Sequence, residues 1–71
     1  MMDRQMVKSS NLKSIGYDQS SNILEIEFLS GQLYQYFKVP SQIYLALMKA
    51  TSKGSYFHAN IKEKYEYNHI S

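Results

Sequence analysis

Hydrophobic and polar positions along the first half of the chain alternate with a period of two. Ile15 and Tyr17 stand two apart and lead into the polar run Asp18-Gln19-Ser20-Ser21-Asn22, which has turn chemistry. Leu24, Ile26 and Phe28 then alternate with Glu25 and Glu27, which places apolar and acidic side chains on opposite faces of one strand. After Leu29-Ser30-Gly31, the stretch Gln32 to Lys38 is rich in the aromatic residues that strands favour. Gly31 sits where a three-residue hairpin loop needs its left-handed residue, and that loop would set Tyr34 and Tyr36 on the face of Leu24, Ile26 and Phe28. An even-length first loop adds Ile15 and Tyr17 to this apolar face, while Gln35 joins the glutamates on the wetter one. Ile23, Leu29, Leu33 and Phe37 are expected to point outward beside the glutamates.

At Val39-Pro40 the period changes, because proline is excluded from a central strand and suits the first turn of a helix. Ile43, Leu47 and Ala50 follow helical spacing, flanked by Tyr44 and Met48. Ser52-Lys53-Gly54 reads as a helix end or corner. A second, shorter helix, roughly residues 55–64, would offer Tyr56 or Phe57 with Ile61 and Tyr65. The pattern predicts an α+β domain: a three-stranded antiparallel β-meander followed by two short helices packed on one face (βββαα). Residues 1–6 are expected to be a flexible lead-in, 7–65 the folded domain, and 66–71 a frayed tail.

Seventy-one residues allow one domain near the lower size limit for unstapled folding. The chain has no cysteine, which excludes disulfides and thiolate metal sites. No run reaches the ~18 apolar residues of a membrane span, and residues 1–10 have no apolar core of a signal peptide. A cytoplasmic location without membrane association is expected. The net charge is +2, and the whole surplus lies after residue 40, where Lys49, Lys53, Lys62 and Lys64 outnumber Glu63 and Glu66.

Constellations for catalysis are missing from the pattern. His58 and His69 lack the companion ligands that zinc requires, and Glu25 and Glu27 fall where alternation puts solvated charges. The serines form no nucleophile elbow, and Gly16, Gly31 and Gly54 are too dispersed to cradle a phosphate. No enzyme activity, cofactor or metal is expected. Binding is. The lysine set with Tyr56 would suit an RNA backbone and splayed bases, with Lys49 and Lys53 one turn apart if the first helix runs to Ser52. Tyr34 and Tyr36 would either stack on bases or fill the core. The alternative is a protein partner or homodimer held by the outward face of Ile23, Leu33 and Phe37 and the open sheet edge, unless the segment of Met6 and Val7 covers that face.

Taken together, Ser9-Ser10, Ile15-Gly16-Tyr17-Asp18, the Leu24/Ile26/Phe28 alternation with Gly31, Tyr34-Gln35-Tyr36, Val39-Pro40, Ala50 with Ser52 and Gly54, Tyr56-Phe57 and Ile61 resemble the KTSC domain from about Val7 to Tyr65. That module occurs at the C-terminus of some lysyl-tRNA synthetases and as a stand-alone bacterial or phage protein. The resemblance marks Tyr34 and Tyr36 as the family's YxY motif, implies tRNA as a partner, and carries no catalytic residues.

Overall fold

The computed structural model describes residues 4–71. Five strands form one antiparallel sheet in the order β1-β2-β3-β4-β5: β1 (Arg4–Met6), β2 (Leu12–Asp18), β3 (Ile23–Phe28), β4 (Leu33–Tyr36) and β5 (Tyr67–His69). Helices α1 (Ser41–Lys49) and α2 (Lys53–Asn60) stand between β4 and β5. The α+β class and the central meander agree with the sequence pattern. The strand number does not: the expected βββαα order gains a strand at each end. Arg4–Met6, from the expected lead-in, pairs with β2, and Tyr67–His69, from the expected tail, pairs with β4. Met1, Met2 and Asp3 of that lead-in lie outside the described residues. Neither added strand has an apolar run to announce it. Each is three residues long and exposed, and is held by ladder hydrogen bonds to its one neighbour, β1 to the next strand in the chain and β5 to a strand on the far side of both helices.

Both hairpins keep the register read from the pattern. Phe28 N–H donates to Gln32 and Gly31 N–H donates to Phe28, closing a three-residue loop with Gly31 at φ 97°. A side chain there is strained, so glycine is the natural occupant. Glu25 then lies opposite Gln35, Leu24 opposite Tyr36 and Ile26 opposite Tyr34. In the first hairpin Tyr17 faces Leu24 and Ile15 faces Ile26, with a bulge between Leu12 and Ser14. The Asp18 carboxylate accepts from the Ser20 hydroxyl at 2.7 Å and the Ser20 N–H at 3.1 Å. The hydroxyl bonds from Ser20 and then Ser21 hold its pKa below the ordinary carboxylate value.

Leu12, Ile15, Leu24, Ile26, Tyr36, Val39, Leu47, Phe57 and Ile61 make the core. Tyr17 ties α1 to the sheet: its ring stacks on Tyr44 at 4.7 Å and its hydroxyl donates to the Val39 carbonyl at 2.6 Å. Ser52 proves to be the N-cap of α2, accepting from Ser55 N–H, so this helix starts two residues before the expected Ser55 and ends at Asn60. Gly54, read as part of a corner, lies in its first turn. A Cβ there would collide with the Asn11 carboxamide, so glycine lets α2 close on the loop before β2.

Candidate functional site

Burial falls across the inner face of the sheet. On β2 and β3, Leu12, Ile15, Leu24 and Ile26 are sealed beneath the helical layer. On β4, Tyr36 is buried but Tyr34 only half so, and on β5 Tyr67 and His69 are exposed. The two helices are too short to roof five strands, and a cleft of about 790 Å³ opens where cover ends.

Its floor is aromatic. Phe28, Tyr34 and Tyr36 come from the sheet, and Phe57 comes from α2. Phe28 meets Tyr34 edge-on at 5.6 Å, and Phe57 meets Tyr36 edge-on at 5.4 Å. Tyr34 lies near-parallel to Tyr36 at 6.3 Å and to His69 at 4.5 Å. These edge-to-face and offset arrangements are the ones ring quadrupoles favour. Tyr65, Tyr67, His58, Lys62, Glu63, Asn11 and Gln32 also line the cleft. Burial, followed by the nearby phenols of Tyr34 and Tyr67, pushes the Tyr36 pKa up to about 12, so its ring stays a neutral phenol at physiological pH. Ring faces flanked by a cation and side-chain amides can hold a planar ligand and its anionic appendage.

The structure gathers some expected residues here and scatters others. Lys62 shares the cleft with Tyr34 and Tyr36. Lys64 lines a shallower neighbouring depression with Glu66 and Tyr67. Lys49 ends α1, where Ala50 turns to extended backbone, so Lys49 and Lys53 belong to different helices and form no one-turn pair. Lys53 is half-buried and donates to the Ala50 carbonyl at 3.2 Å, and Tyr56 packs partly against the core. Tyr67 and His69 escaped the sequence reading, although Tyr65, Tyr67 and His69 alternate with the period of a strand. Among the described residues, no three His, Asp or Glu side chains gather to hold a metal ion. No helix there is long and apolar enough to cross a membrane.

The opposite face carries a polar network. Glu25 is 9% exposed, although alternation suggested a solvated carboxylate. It accepts from Arg4 Nη1 at 2.8 Å and from Gln35 Nε2 at 2.9 Å. Glu27 accepts from the Ser14 hydroxyl at 2.8 Å. The alternative partner residues Ile23, Leu33 and Phe37 are half-buried around this network. Leu29, also expected there, instead lines the cleft, because β3 ends at Phe28 and the loop breaks the alternation. The segment of Met6 and Val7 does not lie across this face: Met6 is in β1 and 67% exposed, while Val7 packs against the core.

The KTSC domain model matches residues 8–65. An uncharacterized protein of Stutzerimonas stutzeri is 45% identical over 64 residues, covering 90% of each chain. A lysine–tRNA ligase of Trichormus variabilis is 42% identical over 64 residues, which are 90% of this chain but 11% of the ligase. The crystal structure of a KTSC domain protein from Yersinia pestis, 43% identical, superposes with a TM-score of 0.94 over all of both chains.

Proposed function

This chain belongs to the KTSC domain family, and from that premise we propose that it is a non-catalytic module that binds unpaired RNA in the aromatic cleft. The observation that carries the reading is the convergence of Tyr34, Tyr36, Tyr65, Tyr67 and Lys62 on one open trough. Unpaired bases stack on aromatic rings whatever their sequence, and a lysine beside them meets the phosphate. Lys62 takes the phosphate nearest the stacked base and Lys64 the next. Lys49, Lys53 and Tyr56 stand outside the cleft, so the two lysines contribute to the general positive field and Tyr56 takes no part in the site. A homologous segment in proteins named lysine–tRNA ligase supports RNA as the polyanion, with tRNA one candidate.

The test is fluorescence anisotropy of a labelled single-stranded RNA across a salt series. Binding should fall with salt at a log–log slope of roughly −0.7 per phosphate contact. Lys62→Glu should weaken it strongly, while Lys49→Glu should change it little. Equal effects of both reversals would point to diffuse charge and remove the cleft from the account.

A further inference from the structure

Resting on the cleft reading, we infer that the RNA site runs past the family-matched residues onto β5, with Tyr67 and His69 as base-stacking residues. The family match stops at residue 65, and β5 begins at Tyr67. Register places Tyr67 opposite Tyr36 and His69 opposite Tyr34, so both rings project on the inner face, in line with the cleft floor. The imidazole lies 10° from the plane of Tyr34 at 4.5 Å. Its Nε2 donates to the Ser71 carbonyl at 3.0 Å, which fixes the ring's orientation. One face of the ring meets Tyr34, and the residue as a whole is exposed, so we take the other face as the one a base can reach. Tyr67 is 54% exposed while touching both Tyr34 and Tyr36.

Cross-strand aromatic pairs hold an edge strand in place, but branched aliphatic residues do that as well without leaving two rings in water. A run of near-parallel rings, Tyr36, Tyr34 and His69, that ends in an open face is what a stacked, unpaired strand needs at its point of entry. The base after the one in the cleft stacks on the outer face of His69, and Tyr67 closes the side of the trough between them.

The experiment measures binding of a labelled single-stranded RNA to the full chain and to His69→Val, Tyr67→Val, His69→Phe and Lys62→Glu. Valine keeps the strand propensity of β5 and removes the ring, whereas phenylalanine keeps the ring. His69→Val and Tyr67→Val should each bind roughly tenfold more weakly, the scale of one lost base stack, and His69→Phe should bind as the parent does. Normal binding by His69→Val beside weak binding by Lys62→Glu would overturn the β5 extension and leave the cleft reading standing. Tighter binding by His69→Val, or failure of His69→Phe to restore affinity, would likewise overturn stacking by His69. A parent chain that binds no RNA would overturn both readings.

Discussion

The two faces of the sheet solve burial in opposite ways. On the inner face, apolar and aromatic side chains pack under two helices until the helices run out, and the remaining rings make a cleft. On the outer face Glu25 is only 9% exposed, because Arg4 and Gln35 close over it. The inner face gains its stability from area removed from water. The outer face satisfies its buried carboxylate by hydrogen bonding, and removing one partner leaves the others with an unmet charge. The proposed binding role rests on this asymmetry. Unsatisfied surface remains on the inner side, whereas the polar groups at the centre of the outer side are already engaged with one another.

Truncation of the inner face should cost most. Tyr36→Ala removes a 3% exposed ring wedged against Phe57 and Tyr67, and should lose about 3–5 kcal/mol in urea denaturation, enough to unfold a domain of this size. A loss below 1 kcal/mol would mean that the ring is not part of the core. Next comes the loop that keeps the two faces distinct. Gly31→Ala places a side chain at φ 97°, for an expected loss of about 1–2 kcal/mol. A slip of one residue in this hairpin would turn Tyr34 and Tyr36 outward, so tyrosine exposure in the variant reports whether register survives.

On the outer face, Arg4→Ala should cost only about 1 kcal/mol, since the arginine side chain is 32% exposed and water partly replaces it. A cost rivalling that of Tyr36→Ala would make the polar network, rather than the core, the main support of the fold. The last effect is alkaline rather than mutational. Tyr36 ionises at about 12 in the folded chain, against roughly 10 for a free tyrosine. The neutral form is favoured by folding, so this contribution is complete below pH 10 and is lost as pH rises from about 10 to 12. Ultraviolet titration should show a tyrosine ionising near pH 12, and the lack of any such step would contradict the burial of Tyr36.

The central meander was legible because alternation, turn residues and Gly31 all specify one register. The apolar positions Leu24, Ile26, Ile15 and Tyr17 occupy the face assigned to them. The edge strands were not legible. Arg4–Met6 and Tyr67–His69 are three residues each and exposed, too short to show an alternating pattern, and the partner of Tyr67–His69 lies on the far side of both helices. Half of the site was hidden for the same reason. Tyr34, Tyr36 and Lys62 could be named from the chain, but their meeting with Tyr67 and His69 depends on β5 returning beside β4. The burial of Glu25 was equally out of reach, since its ion-pair partner stands on one of those edge strands.

The claim that the inner face ends in an RNA cleft is tested most directly by an amide NMR titration of the labelled full chain with a short single-stranded RNA at low and then physiological salt. Shifts confined to β4, β5, the end of α2 and Lys62, weakening as salt rises, are the expected result. Shifts on the outer face around Glu25 and Leu33, or none at low salt, would contradict it.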